Sequence, residues 1–204
     1  AFRRTALHDV GYWSDRMVTE DIDISWRLQL AGWDIRYEPN ALCWILMPET
    51  LRGLWSQRLR WACGGVEVLL SHGRSVLAWK KRRMWGVLLE YVLSLAWAYV
   101  MLTIITLWLV GLFVTLPPAW HVDTILPRWH GVVLAFVCML QFGTSLLIER
   151  RYETKMARHF YWVIWYPIAF WMLGMFTAVV AFPRTLLRRR RRAVWISPDR
   201  GAAA

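Results

Sequence analysis

The sequence predicts a mixed protein in which the end of an α/β domain is followed by interfacial amphipathic helices and about three transmembrane α-helices. Of the 204 residues, 57% are hydrophobic and 16 are Trp, a composition typical of membrane proteins. Residues 1–50 carry eight acidic and five basic side chains, a net of −3, and because the whole chain carries +11, the remainder carries +14. An acidic first quarter joined to a basic, apolar remainder indicates a soluble piece attached to a membrane piece.

The chain starts at Ala1 in sequence typical of the middle of a domain, and no signal peptide is visible. We therefore expect the C-terminal part of a longer protein, or a fragment of one.

The first 50 residues are predicted to hold a helix and then two strands. Thr19 or Asp21 can cap the free amides of a helix that opens there, and Gly32 ends it. Apolar residues recur along this helix at helical spacing: Ile22, Trp26 and Leu30. Apolar and polar residues alternate from Trp33 to Tyr37, which predicts a half-buried strand, and the apolar run from Leu42 to Met47 predicts a buried one. This order indicates the last part of an α/β domain.

A second helix is predicted from about Thr50 to Ala62. At roughly 100° per residue, Gln57, Arg60 and Trp61 fall on one side of it. The opposite side is apolar and is predicted to be buried: Leu51, Trp55, Leu59 and Ala62. An amide, a guanidinium and an indole can bind a sugar phosphate, because Arg pairs with phosphate oxygens and Trp packs against a pyranose ring. The alternative is an interfacial helix with Arg and Trp at the lipid headgroups.

The membrane region is predicted to follow a short interfacial region at residues 51–83. Gly64-Gly65 permits a bend before a second amphipathic segment, which is predicted from Val66 to Leu70. Basic residues at 80–83 then mark the membrane boundary. Within residues 84–182, apolar runs predict spans at about 85–116, 129–148 and 161–182, the last kinked at Pro167, before a basic tail at 183–204.

The distribution of Lys and Arg leaves the side of this tail open. Residues 80–83 and 149–160 are predicted to be cytoplasmic by the positive-inside rule. Three crossings would place the run Arg188–Arg192 outside, so either the tail is an exception or one apolar run does not cross. We expect three crossings because each run is long enough for one.

Other composition features exclude several classes of site. Cys43, Cys63 and Cys138 are far apart and show no metal-ligand spacing, so neither a disulfide nor a zinc site is predicted. A pI near 10.3 would favour nucleic-acid binding in a soluble protein. Here the basic residues lie at the edges of apolar runs, where they serve topology and lipid headgroups. We therefore expect no nucleic-acid partner.

Thr19-Glu20-Asp21 supplies a candidate catalytic carboxylate at the start of the predicted helix. Facing a cleft, it could take the proton from a sugar hydroxyl as that oxygen attacks another sugar. The alternative is a helix start with first-turn charges that suit the helix dipole. Asp23 is predicted to point away and to be solvated or ion-paired.

Two motifs together resemble the processive family-2 glycosyltransferases. The first is Val18-Thr-Glu-Asp-Ile-Asp-Ile-Ser-Trp-Arg-Leu-Gln-Leu-Ala-Gly-Trp33, and the second is Gln57-Arg-Leu-Arg-Trp61, with apolar spans directly after it. These stretches, with Tyr37–Thr50 and the closing Trp195–Gly201, are most similar to the poly-β-1,6-N-acetyl-D-glucosamine synthase branch. The resemblance covers nearly the whole chain.

The resemblance implies a fold and a set of roles for the first motif. Residues 1–50 would be the C-terminal part of a cytosolic glycosyltransferase-A domain. Asp21 would be the general base for the acceptor hydroxyl, and Thr19 and Glu20 would shape the acceptor side of the site. Relatives bind the nucleotide and Mg²⁺ or Mn²⁺ through earlier aspartate motifs, so metal ligands are expected outside this chain and the fragment alone would be inactive.

For the second motif, the resemblance implies binding of donor and acceptor. Arg60 would neutralise the departing diphosphate, and Trp61 would stack on the acceptor sugar. Gln57 would help hold donor or acceptor, and Arg58 is a weaker candidate.

The implied function is polymerisation of N-acetylglucosamine from UDP-GlcNAc by an inverting enzyme of the bacterial cytoplasmic membrane, with export of the polymer. Implied partners are the growing polysaccharide, the bilayer, a small membrane accessory subunit, and cyclic di-GMP, which the Arg188–Arg192 run could help bind. The alternatives are a hyaluronan, chitin or cellulose synthase, or a non-catalytic membrane adaptor.

Overall fold

The computed structural model describes residues 1–125, 129–153, 155, 158, 161–162 and 165–187, and this part of the chain is helical. In order, it forms α1 (Arg4–Asp9), α2 (Glu20–Ala31), α3 (Leu51–Val76), a 3₁₀ helix (Trp79–Met84), α4 (Trp85–Gly111), a short 3₁₀ helix (Pro118–Trp120), α5 (Trp129–Glu149) and α6 (Trp165–Leu187). The chain divides into two compact units, one comprising Ala1–Ala98 with the chain from Phe176 onward, and the other Tyr99–Met175.

Helix α2 confirms the helix predicted between the first motif and Gly32. Thr19 is the N-cap residue and Gly32 ends the helix with a left-handed φ of 97°, a conformation that favours glycine. The predicted capping is only partly right, because the Thr19 side chain makes no capping hydrogen bond. Asp21 Oδ1 instead accepts from the Ile22 amide at 2.9 Å.

The two predicted strands are not present among the residues that the structure describes. Trp33–Tyr37 and Leu42–Met47 are irregular backbone, and most of their side chains are exposed. A strand is stable only when its amides and carbonyls pair with a neighbouring strand. No such pairing occurs for these segments, so the alternating pattern by itself does not produce a sheet here.

Helix α3 is longer than predicted and continues through Gly64-Gly65, so the prediction of two separate helical segments was wrong. It begins after Thr50, whose Oγ1 accepts from the Gly53 amide at 3.0 Å, and runs unbroken to Val76. The two glycines lie where other side chains approach the helix closely: a Cβ on Gly64 would overlap Thr19, and one on Gly65 would overlap Tyr91. They allow close packing instead of a bend.

The buried side of α3 also differs from the prediction. Leu51, predicted to be buried, is 85% exposed, whereas Gln57 is 4% exposed. Nine residues of α3 are buried, distributed around the helix, and four of them are glycines: Gly53, Gly64, Gly65 and Gly73. Small residues, and not the most apolar ones, therefore mark places where neighbouring side chains pack closely on α3, as Thr19 does on Gly64 and Tyr91 on Gly65.

Helix α2 is held between α1 and α3 by two hydrophobic clusters. One consists of Ala6, Ile24 and Leu28, with Leu7, Val10 and Trp33 packed against it. The other joins α2, α3 and the start of α4 and consists of Trp26, Val68, Val76 and Met84, with Leu30, Leu69, Trp85 and Leu88 packed against it. Burial of each large apolar side chain contributes roughly 1.5–3 kcal/mol. The first motif is therefore carried by a helix anchored on two sides.

The 3₁₀ helix before α4 links this packing to the first membrane helix. Lys81 Nζ donates to the Leu30 carbonyl at the end of α2, and Trp85 Nε1 donates to the Val76 carbonyl at 3.0 Å. One of the four basic residues that mark the membrane boundary thus contacts the protein itself. The 3₁₀ helix is thus bonded to the end of α2, and the start of α4 is bonded to the end of α3.

Three helices of the described chain are long and apolar enough to cross a membrane. They cover Trp79–Gly111, Gly131–Glu149 and Trp165–Leu187. Within the second unit, Phe142 of α5 and Tyr166 of α6 make an edge contact with ring centroids 6.3 Å apart. Pro167 is the third residue of α6 and lies close to residues outside the described ranges, so the kink expected there stays a prediction. The run Arg188–Arg192 lies outside the described residues.

Candidate active site

The structure brings the beginning of the first motif against the helix that carries the second. Thr19, which is 5% exposed, packs its side chain on Gly64 of α3, where a Cβ would leave it no room. One residue earlier, the Val18 amide donates to Glu67 Oε2 at 3.3 Å. Since Gly64 follows Gln57 by two turns on the same buried side of α3, the two motifs lie on one pair of packed helices.

The first two acidic residues of the first motif face outward. Glu20 and Asp21 are both exposed in the first turn of α2. Asp21 makes a hydrogen bond to its own helix, to the Ile22 amide, and among the described residues no hydrogen bond or ion pair joins it to α3. The structure therefore presents this carboxylate on the surface of the described chain, where a ligand can reach it.

Each motif contributes one buried oxygen without a partner. Thr19 Oγ1 and Gln57 Oε1 are both buried, and neither finds a hydrogen-bond partner among the described residues. A buried polar atom left without a partner costs on the order of 1–3 kcal/mol. Groups of this kind commonly bind water or ligand hydroxyls, which agrees with the roles expected of these two side chains.

The second motif forms an ordered pair of cation and ring. The Arg58 guanidinium carbon lies 4.8 Å from the centroid of the Trp61 ring, at the i, i+3 spacing that makes neighbours on a helix. Trp61 is still 37% exposed, so part of its ring is open to a ligand. Arg60 is half-buried. Arg58, the weaker candidate by sequence, thus lies against the face of the indole.

Sequence reasoning overlooked the residues that hold the two motifs together. Gly64 and Glu67 contact the residues at the start of α2, and His72 bonds to Asp23. The glycine pair carried a usable signal, because small residues inside an amphipathic helix often mark a close approach. Nothing in the sequence indicated the long-range pairing of Glu67 or His72.

The described residues do not form a metal site by themselves. No three His, Cys, Asp or Glu side chains within the described ranges lie close enough together to hold a metal ion. The three cysteines are free thiols. Cys63, a residue of α3, is buried, and Cys43 is exposed. A cleft of about 700 Å³, lined by the first residues of the chain and by Gly32–Arg36, contains none of the candidate site residues.

Comparisons with known proteins identify similar sequences over nearly the whole chain. A family model described as Glycosyl transferase family group 2 matches residues 1–175. The chain is 37% identical over 201 residues to a poly-beta-1,6-N-acetyl-D-glucosamine synthase from Staphylococcus epidermidis. It is 40% identical over 201 residues to the protein of that name from Staphylococcus aureus strain COL. Both alignments cover 98% of this chain and 49% of the relative, so the chain spans about half the length of these relatives. No solved structure matches it.

Proposed function

Because this chain belongs to glycosyl transferase family group 2, we propose that it is the membrane-attached C-terminal part of a processive, inverting β-glycosyltransferase. The reaction we propose is polymerisation of N-acetylglucosamine from UDP-GlcNAc into a β-1,6-linked exopolysaccharide that crosses the membrane. The observation that carries this proposal is the identity of 37–40% to the staphylococcal synthases over 98% of the chain. That alignment includes both motifs and the three apolar helices.

In the transfer step, Asp21 acts as the general base. Its carboxylate accepts the proton of the acceptor hydroxyl while that oxygen attacks the anomeric carbon of the donor. The bond between that carbon and the diphosphate breaks at the same time, so the configuration at the carbon inverts. The exposure of Asp21 and its place beside the α3 packing support this role.

Residues of α3 bind the two substrates. Arg60 stabilises the charge that develops on the departing diphosphate, where an aimed guanidinium is most effective. Trp61, oriented by Arg58, stacks on the acceptor sugar. Gln57 and Thr19 offer their buried oxygens to substrate hydroxyls, which would satisfy two groups that have no partner in the described chain. Glu20 shapes the acceptor side.

The family implies a divalent cation, Mg²⁺ or Mn²⁺. The described residues do not fit one. On the family resemblance we propose that its ligands lie outside this chain, and we assign it no step on these residues.

We propose a multi-pass location in the bacterial cytoplasmic membrane, with the catalytic side in the cytoplasm. The three apolar helices support membrane attachment, and the basic residues at 80–83 support a cytoplasmic position for α2 and α3. Further proposed partners are a small accessory membrane subunit and cyclic di-GMP at Arg188–Arg192. Unchanged nucleotide binding after substitution of those five arginines would eliminate the second of these.

The donor sugar provides the direct test of the proposed reaction. Full-length synthase in membrane vesicles is expected to consume UDP-GlcNAc and to release UDP together with a β-1,6-linked polymer. UDP-glucose and UDP-glucuronate should give no polymer, as measured by UDP release and linkage analysis of the product. Turnover of either of those two donors would favour a cellulose or hyaluronan synthase instead.

A further inference from the structure

Asp23 is a buried carboxylate that joins three segments of the chain. It is 1% exposed, and both of its oxygens are used. Oδ2 accepts from Arg27 Nε at 2.8 Å, one turn later on α2, and Oδ1 lies 2.8 Å from Nε2 of His72 on α3. A carboxylate buried this deeply is costly unless it is paired and hydrogen-bonded, and here it is both.

Arg27 extends this cluster to the turn after α1. Its terminal nitrogens donate to the Val10 and Tyr12 carbonyls, on either side of Gly11. Gly11 and Tyr12 have φ values of 73° and 63°, and a tyrosine in this left-handed region is uncommon. The Asp23–Arg27 pair therefore holds an unfavourable turn as well as α3.

The position of Asp23 on α2 connects this cluster to the catalytic carboxylate. Asp21 and Asp23 lie in the same helical turn, two residues apart. Two residues correspond to a rotation of about 200° about the helix axis, so the two side chains point in nearly opposite directions. One carboxylate is thus directed into the packing with α3, and the other is directed outward. Because the turn is rigid, any shift or rotation of the first turn of α2 that frees Asp23 also moves Asp21.

We propose that Asp23, Arg27 and His72 are positioning residues that fix the first turn of α2 on α3 and thereby fix where the Asp21 carboxylate stands. This inference rests on the proposed function, since it acts through Asp21. It assigns the cluster no contact with substrate. Displacement of a catalytic group by about 1 Å can lower the rate on the order of a hundredfold, so residues that position such a group can strongly affect the rate.

The test compares two His72 variants in the full-length synthase. His72→Leu fills similar space but removes the N–H donor, whereas His72→Gln keeps a donor that can reach Asp23. We expect His72→Leu to lower kcat about tenfold with the KM for UDP-GlcNAc unchanged, because Asp21 is displaced while the donor site on α3 is not. His72→Gln should restore kcat to within about twofold of wild type. Asp23→Asn should behave as His72→Leu does.

Two controls separate positioning from loss of folded protein. The amount of folded synthase in the membrane is measured for each variant, and kcat is expressed per folded molecule. Asp34→Asn removes a carboxylate whose side chain is 69% exposed, and it should leave kcat and KM unchanged. An unchanged kcat in His72→Leu, or a loss that His72→Gln fails to restore, would overturn the proposal.

The same experiment distinguishes this inference from the proposed function. If Asp21→Asn is inactive while His72→Leu and Asp23→Asn keep wild-type kcat, the positioning proposal alone is wrong. If Asp21→Asn retains its activity, the assigned base is wrong and the positioning proposal fails with it.

Discussion

Asp21→Asn in the full-length synthase is expected to lower the rate of polymer synthesis by on the order of 10²–10⁴-fold, the contribution typical of a general base. Asparagine has the shape of aspartate but cannot accept the proton of the acceptor hydroxyl. The side chain is exposed, and its carboxylate accepts a hydrogen bond from the Ile22 amide of its own helix, so the fold should be unaffected. UDP release and polymer yield from membranes with matched amounts of protein measure the effect.

Asp34→Asn is the matched control for this variant, because it also neutralises an exposed aspartate in the same unit of the chain. It is expected to keep wild-type activity. A non-catalytic adaptor would instead tolerate both Asp21→Asn and Trp61→Ala. Polymer output from Asp21→Asn equal to that of the control would therefore favour the adaptor.

Gly64→Ala is expected to lower polymer synthesis on the order of a hundredfold, although the substituted residue touches no substrate. The new methyl group would overlap the Thr19 side chain as far back as its Cβ, so a change of rotamer cannot relieve the contact. Overpacking of this kind typically costs about 1–3 kcal/mol, and here it would push the start of α2 away from α3. Polymer synthesis per folded molecule and thermal stability are the quantities to measure.

Gly86→Ala serves as the control for the effect of alanine on a helix. A Cβ on Gly86 would meet no atom within 4 Å, so this variant should be neutral or slightly stabilising. Wild-type synthesis by Gly64→Ala would show that the contact between Thr19 and α3 has no bearing on transfer.

The helix that carries the first motif was predictable from local signals. Thr19 at the N-cap and Gly32 at the end mark the bounds of α2. Both positions depend only on backbone geometry near the ends of a helix. The membrane helices were predictable for a similar reason, because length and apolar content suffice to identify them. The family resemblance carried by the two motifs is confirmed by the model match over residues 1–175.

Features that depend on distant contacts were not predictable. Alternation from Trp33 to Tyr37 is a strand signal, but a strand also needs a partner, and pattern alone does not supply one. On α3, hydrophobicity placed Leu51 inside and Gln57 outside, whereas the structure has the reverse. The buried side is determined by where Thr19 and Tyr91 approach the helix, and no local rule contains that information.

In the candidate site, too, local features were predictable from the sequence and long-range contacts were not. Sequence identified the residues with suitable chemistry, such as Asp21 and Trp61, from their types and spacing. It set Asp23 aside as solvated or ion-paired, and only the second of these is right, because the side chain is buried. His72, which completes that pair, lies 49 residues away in the chain, and its role follows only from the packing of α2 on α3.

In our proposal, the two sides of α2 have separate tasks. The inner side of α2 carries Asp23 and the apolar residues that bind it to α1 and α3, while the outer side carries Asp21. Rigid support of a catalytic carboxylate favours rate, because the reacting groups need no rearrangement before proton transfer. The variants of Gly64 and His72 test the support, and the variant of Asp21 tests the chemistry.

The most direct measurement is a structure of the full-length synthase with UDP and a β-1,6-linked N-acetylglucosamine oligosaccharide bound. We predict that an oxygen of Asp21 lies about 2.6–3.2 Å from the 6-hydroxyl of the terminal sugar, with the Trp61 ring against that sugar and Arg60 at the diphosphate. An acceptor bound elsewhere, with Asp21 surrounded by water and Trp61 in contact with lipid, would contradict the account.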